Sequence, residues 1–337
     1  MDFRRKKMFS SKINILVIDD LHSCFFEQAG MDKFNITYLP EIGVKDVSTA
    51  LLNQHVLVVR SKVFVNEELC KSANSLKLIC RAGSGVDNLD TEWLDKMGIA
   101  FINTPEANGQ AVAEQTLGML LSLMANITKA DREVRSMLWD REGNRGDELD
   151  GKTVGIIGFG NTGSRFAKLI SGFNTEVLVY DKYKFGFSTS YAKESNMEDL
   201  YEKADILSLH IPLTFETQNL VNKQFIQIFS KPFRLLNLSR GAIVDTKAVI
   251  EGIESKKIIG FATDVLENEQ INQLNNLESI VFTQLRSLSN VVLTPHIGGW
   301  TYQSYKKISE SLALKISAFF VNFSPQEKGF KEAQKFP

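Results

Sequence analysis

The stretch Thr153 to Gly163, TVGIIGFGNTG, constrains this chain more than any other of its length. An apolar, β-branched run enters three glycines spaced as G-x-G-x-x-G, and a segment carrying Phe166, Leu169 and Ile170 at helical spacing follows. A strand feeding a tight turn and then a helix is the opening of a doubly wound parallel sheet. Gly158 permits the turn, Gly160 lets a backbone approach a pyrophosphate, and Gly163 allows helix and strand to pack closely. Asn161 and Thr162 lead into a helix N-terminus whose free N–H groups attract anions. Three glycines alone are a weak signal, and their strand–loop–helix setting gives them weight.

Asp181 adds to it. It closes the next apolar run, Val177 to Asp181, eighteen residues beyond Gly163. A carboxylate there can accept both hydroxyls of an adenosine ribose and repels a 2′-phosphate, which selects NAD over NADP. Lys182 and Lys184 beside it oppose that selection in part, since an ammonium offsets the repulsion.

Apolar strand-like runs recur on both sides of this motif. Lys12–Asp20, Val56–Arg60, Leu76–Arg81 and Ala100–Asn103 precede it, separated by helix-compatible segments. Glu176–Asp181, Ala204–His210, Phe233–Leu238, Ile259–Val265 and Val291–Thr294 follow. A continuous helix is expected from about Asn108 to Arg135, and a last one over Gln303–Asn322, with Pro325 ending the fold. Strand and helix in alternation predict two α/β domains of parallel strands, Rossmann-like and doubly wound.

Composition excludes several other classes. The 337 residues carry 39 Lys+Arg against 40 Asp+Glu, a net charge of −1, which speaks against a broad electrostatic nucleic-acid binder. No apolar run approaches the length of a membrane span. Cys24, Cys70 and Cys80 are too few for a disulfide scaffold, favour a reducing compartment such as the cytoplasm, and form no zinc spacing with the four histidines. No metal is expected. Arg4 to Lys7 form a short basic leader, read as solvated.

Three polar residues stand just past predicted strands of the second series, where open parallel sheets bind ligands. These are Arg240, Glu269 and His296, with Asp264 at the end of its strand. Hydride exchange between a nicotinamide and a 2-hydroxy acid needs such a set. An imidazole takes the hydroxyl proton at neutral pH, a carboxylate orients the imidazole, and a planar guanidinium pairs with the substrate carboxylate. His22 and His55 read as structural, and His210, before Ile211-Pro212, as an edge of the adenine pocket.

The ordered motifs resemble those of the D-isomer-specific 2-hydroxyacid dehydrogenase family, most closely its D-3-phosphoglycerate dehydrogenase branch, from about Lys12 to Asn322. They are Arg81–Asn88 (RAGSGVDN), Gly109–Leu117 (GQAVAEQTL), Leu149–Gly158 (LDGKTVGIIG), His210–Thr214 (HIPLT), Ser239–Asp245 (SRGAIVD), Asp264–Glu269 (DVLENE) and Pro295–Thr301 (PHIGGWT). The resemblance implies His296 as acid/base, Glu269 as its partner and Arg240 as the substrate-polarising cation. It implies Asp264 at the nicotinamide carboxamide, with His210, Pro212, Ser239, Gly298 and Gly299 also lining the NAD site. Backbone N–H groups near Ser84 and Gly85 would cradle the substrate carboxylate. It further implies a discontinuous substrate domain, 8–104 plus 300–330, around an NAD-binding domain, 105–299, with the active site in the cleft between them and a homodimer or larger assembly.

Two departures stand out. Gln270 follows the acid where the family usually has proline, so a less rigid loop is expected; Glu269 is preferred to Glu267 by spacing. The chain also stops at Pro337, short of a C-terminal regulatory domain, so serine feedback is not expected. Arg60 and Arg81 match basic positions of the phosphoglycerate branch and suit a phosphorylated substrate, 3-phosphoglycerate oxidised to 3-phosphohydroxypyruvate in serine biosynthesis. A glyoxylate or hydroxypyruvate reductase shares the catalytic residues, and an NAD-binding corepressor-like protein shares the fold; both readings stay open.

Overall fold

The computed structural model describes residues 12–28 and 30–321, so the basic leader and Pro325 lie outside the described residues. The chain separates into two compact units, one of residues up to Asn108 and from Tyr302 onward, the other Gly109–Thr301.

In the first unit β1 (Asn14–Val17), β2 (Asn35–Tyr38), β3 (Val56–Val59), β4 (Leu78–Arg81) and β5 (Ala100–Ile102) form a parallel sheet in the order β2-β1-β3-β4-β5. Its central strands are apolar on both faces, as helices on either side require. Ile15, Val17, Val56 and Val58 pack with Leu312 and Ile316 of the helix Tyr302–Val321. Leu16, Leu57, Val59 and Ile79 face Val47, Leu51 and Leu94 instead. β2 was not expected. It is an edge strand with no buried residue, so it lacks the apolar run that marks its neighbours. The strand order reverses between β1 and β3, and Asp19–Asp20 and Arg60 leave the sheet at that point.

The second unit holds β6 (Thr153–Ile157), β7 (Glu176–Tyr180), β8 (Lys193–Glu194), β9 (Ile206–Leu209), β10 (Phe233–Asn237), β11 (Ile258–Thr263) and β12 (Val291–Leu293). All pair in parallel, in the order β12-β11-β10-β9-β6-β7-β8. This is the doubly wound order, with its reversal between β6 and β9. Six loops leaving the carboxyl ends of β6, β7, β9, β10, β11 and β12 therefore share one edge of the sheet.

The expected continuous helix over 108–135 is two helices, Pro105–Met124 and Ile127–Arg135. Asn126 sits between them with φ of 56°, a left-handed conformation that Asn tolerates better than most residues. The Asp147 N–H donates to the Met124 carbonyl at 2.9 Å and helps cap the first helix. Among the described residues no helix is long and apolar enough to cross a membrane, and no cluster of three metal-ligating side chains occurs. Cys24, Cys70 and Cys80 are buried free thiols, and burial pushes the Cys70 thiol up to about 11.

Candidate active site

The glycine loop leaves β6 with geometry that its residues alone permit. Gly158 has φ of 98°, and a Cβ there would lie 2.3 Å from the His210 carbonyl oxygen at the end of β9. A Cβ on Gly163 would lie 2.0 Å from the Gly158 carbonyl oxygen, so helix Gly163–Ile170 closes directly on the turn. Gly160 differs, because a Cβ there meets nothing within 4 Å. The loop is thus tight on its protein side and open where a pyrophosphate would approach, which fits a dinucleotide. Asn161 offers its carbonyl to the Arg165 guanidinium, and the Thr162 side chain makes no cap bond.

Asp181 is already engaged. Its Oδ2 accepts from Phe159 N at 2.8 Å, and its Oδ1 from Tyr183 N at 2.9 Å and Lys184 N at 3.1 Å. A carboxylate has about four acceptor sites, so roughly one is left, and the expected pair of ribose bonds requires sharing. Lys182 pairs with Glu216 at 2.7 Å and Lys184 Nζ donates to the Phe159 carbonyl at 2.8 Å, so both ammonium groups already have protein acceptors. His210 packs on Phe166 and bonds Ser208 Oγ through Nε2 at 2.9 Å; burial lowers its pKa to about 3. Pro212 accepts from Thr217 Oγ1 through its carbonyl, and Ser239 Oγ donates to the Leu209 carbonyl, each at 2.7 Å.

Glu269 and His296, twenty-seven positions apart, meet. His296 Nδ1 lies 2.9 Å from both carboxylate oxygens of Glu269, and each side chain is nearly half exposed. Glu267 points elsewhere, accepting from Thr246 N at 2.8 Å. His296 has φ of 54° and is fixed from below by Asp264, which is 2% exposed. The Asp264 carbonyl accepts from His296 N at 2.8 Å. Its Oδ1 accepts from Thr294 Oγ1 at 2.5 Å and Ile297 N at 2.9 Å, and its Oδ2 from Gly298 N at 2.7 Å. Gly298, followed by the half-buried Gly299, is therefore locked to the end of β11. Arg240 follows β10; its Nη1 donates to the Ser239 carbonyl at 2.6 Å.

In the first unit, the Arg60 N–H donates to Asp19 Oδ2 at 2.6 Å, and its guanidinium carbon lies 5.8 Å from the Tyr305 ring centre. Burial lowers the Arg60 pKa, while Asp19, Tyr305 and Asp20 act the other way. Asp20 accepts from the hydroxyls of Tyr305 at 2.5 Å and Tyr38 at 2.9 Å, and these bonds, led by Tyr305, depress its pKa. The Arg81 guanidinium lies against Gly83, whose Cβ would come 1.6 Å from Nη1. The loop through Ser84 and Gly85 is braced by Asn103, which donates to the Ser84 carbonyl at 2.6 Å, and by Asn108, which accepts from Ser84 Oγ.

Several asparagines escaped the sequence reading. Asn237, 1% exposed, donates to the Arg240 carbonyl at 3.0 Å and accepts from Ser239 N at 3.1 Å, shaping the turn that presents Arg240. Asn268 bonds Gln270 N at 3.0 Å, a bond that proline at 270 could not make, so the loop after Glu269 is braced where a less rigid one was expected.

Comparison with known proteins defines the class. Residues 117–298 match the family model of the D-isomer specific 2-hydroxyacid dehydrogenase NAD-binding domain. The chain is 34% identical over 316 residues to the D-3-phosphoglycerate dehydrogenase of Methanocaldococcus jannaschii, covering 90% of this chain and 57% of that protein. It is also 34% identical over 263 residues to the hydroxypyruvate reductase of Thermotoga maritima, covering 77% and 83%. The structure of the D-lactate dehydrogenase of Aquifex aeolicus complexed with NAD and lactic acid aligns with a TM-score of 0.78 at 25% identity, covering 91% of this chain and 95% of that one. The chain belongs to the D-isomer specific 2-hydroxyacid dehydrogenase family, and its second unit carries the NAD-binding domain. It spans little more than half the length of the phosphoglycerate dehydrogenases of Methanocaldococcus jannaschii, Synechocystis and Bacillus subtilis that it matches.

Proposed function

We propose that this chain is an NAD-dependent dehydrogenase of D-2-hydroxy acids, and that it oxidises 3-phosphoglycerate to 3-phosphohydroxypyruvate in serine biosynthesis. The observation that carries the reading is the His296–Glu269 pair, on the sheet edge that also bears the glycine loop.

Glu269 accepts from Nδ1–H of His296, so Nε2 presents its lone pair and takes the proton of the substrate hydroxyl. In the reverse direction Nε2–H returns that proton to the carbonyl oxygen. Arg240 pairs with the substrate carboxylate and draws electron density from the C2 oxygen. The glycine loop and Asp181 hold pyrophosphate and ribose, and the segments at His210–Pro212, Ser239 and Gly298–Gly299 line the remaining cofactor site. Bound NAD supplies the hydride acceptor for the hydrogen on C2.

For the substrate, Ser84 and Gly85 offer backbone N–H groups to the carboxylate, and Arg60 and Arg81 supply cations for the phosphate. The Methanocaldococcus relative supports this choice. A second reading, hydroxypyruvate or glyoxylate reduction, is favoured by the acids that crowd Arg60 and by the Thermotoga relative. We place the enzyme in the cytoplasm as a homodimer, on the family likeness. Replacing Arg60 and Arg81 by alanine is expected to damage turnover of 3-phosphoglycerate far more than that of D-glycerate; equal losses favour the second reading.

A further inference from the structure

Glu269 is nearly half exposed, so packing does not fix its carboxylate; its place is inherited from the backbone on either side. That backbone is tied at several points: the Gln270 carbonyl accepts from Gln273 N at 2.8 Å, Glu267 Oε1 accepts from Thr246 N at 2.8 Å, and the Asn268 side-chain amide links it to the neighbouring helix. Asn268 Oδ1 accepts from Gln270 N at 3.0 Å, and Asn268 Nδ2 donates to Glu278 Oε1 at 3.3 Å. Glu278 is itself immobilised at the start of helix Asn276–Ser287. Its Oε2 accepts from Asn275 N at 2.8 Å while Asn275 Oδ1 accepts from Glu278 N at 3.0 Å, a reciprocal capping box.

Apolar contact joins loop and helix toward the middle and far end of the helix, where Leu266 and Val281 both pack against the core that holds Leu285. Leu266, Glu267 and Asn268 on one side and Leu277, Val281 and Phe282 on the other line a cavity of about 350 Å³. Leu285, near the far end of the helix, is its one fully buried residue. Leu277 and Ile280 are each 57% exposed. At the exposed helix start the loop is attached through the Asn268–Glu278 hydrogen bond.

We propose that Asn268 and Glu278 are positioning residues that set Glu269 against His296, so that the capping box of a surface helix fixes the catalytic imidazole tautomer. The inference rests on the proton-transfer role given above to His296 and Glu269. Asparagine suits position 268 because its amide has an acceptor for the Gln270 N–H and a donor for the Glu278 carboxylate. Aspartate would keep the first bond and set a second carboxylate against Glu278.

The test uses the full chain with ¹⁵N-labelled histidine, read for tautomer at alkaline pH, together with steady-state kinetics, NAD affinity and thermal midpoint. The wild type holds His296 as the Nδ1–H tautomer. Asn268→Ala is expected to mix the tautomers and lower kcat/KM roughly 10- to 100-fold, the scale of a misplaced catalytic group. NAD affinity and thermal midpoint stay at wild-type values. Asn268→Asp does the same, and combining it with Glu278→Gln, which reverses the polarity of the bond, restores both readouts. Wild-type tautomer and turnover in Asn268→Ala overturn the proposal. An unchanged tautomer in Glu269→Ala overturns the pair and the proposal together. A tautomer that responds to Asn268→Ala in a protein that turns over no 2-hydroxy acid supports the clamp and refutes the proposed activity.

Discussion

Replacing Asp264 by asparagine changes almost no volume but reverses half of a buried hydrogen-bond set. The carboxylate takes three donors, Thr294 Oγ1 and Ile297 N on one oxygen and Gly298 N on the other. An amide has one acceptor oxygen, so in either orientation its NH₂ faces a backbone N–H. One buried N–H is then unpaired, at about 1–3 kcal/mol. The surviving bonds lose their charge assistance, which adds about another 1 kcal/mol. The sum is about 2–4 kcal/mol, acting on a segment already bent into the left-handed region at His296. Amide hydrogen exchange at Ile297 and Gly298 is the direct assay. Protection there is expected to fall roughly 30- to 1000-fold, at tenfold per 1.4 kcal/mol, while amides of β6 and β7 keep theirs. Exchange within threefold of wild type at both sites would refute the view that Asp264 holds the histidine segment.

Acid lability provides a second check. Folded His210 is neutral because burial lowers its pKa to about 3, whereas the unfolded side chain titrates near 6.5. Its contribution to stability is therefore whole above pH 6.5 and is lost as pH falls toward 3, amounting to about 2 kcal/mol at pH 5. Unfolding measured at pH 7 and pH 5 should show that loss in the wild type and not in His210→Gln; parallel losses would contradict it. Gly160→Ala and Gly163→Ala separate the two uses of glycine. The first should melt like wild type yet bind NAD at least about tenfold more weakly, since its methyl enters open space. The second should lose about 2 kcal/mol or more of stability as its methyl forces the helix off Gly158, on the scale of overpacking. Equal melting of both variants would show the loop geometry to be wrong.

Much of this architecture was readable because buried parallel strands are continuous apolar runs, as in Val56–Val59 and Ile206–Leu209. β2 was invisible for the opposite reason, being a half-exposed edge. The helix break at Asn126 carried no glycine or proline to announce it; it depends on a left-handed asparagine and on the Asp147 N–H arriving from a distant loop. Glu269 was preferred to Glu267 by spacing, and the structure gives them separate partners, His296 and Thr246 N. The bracing asparagines 103, 108, 237 and 268 had no periodic signal, since their meaning lies in a donor and an acceptor that only folding places. Asp181 was legible as a carboxylate after β7, but the three backbone bonds that occupy it were not.

In the proposed reaction His296, held by Glu269, moves the substrate proton. The most direct test of this role is NADH formation from 3-phosphoglycerate, D-glycerate and D-lactate by the wild type and by His296→Ala, with NAD affinity measured on both. Wild-type turnover of at least one acid is expected, with a loss of about 10²-fold or more in the variant and NAD affinity kept within about twofold. A variant as active as the wild type, or a wild type that binds NAD and oxidises none of the three, would contradict that role.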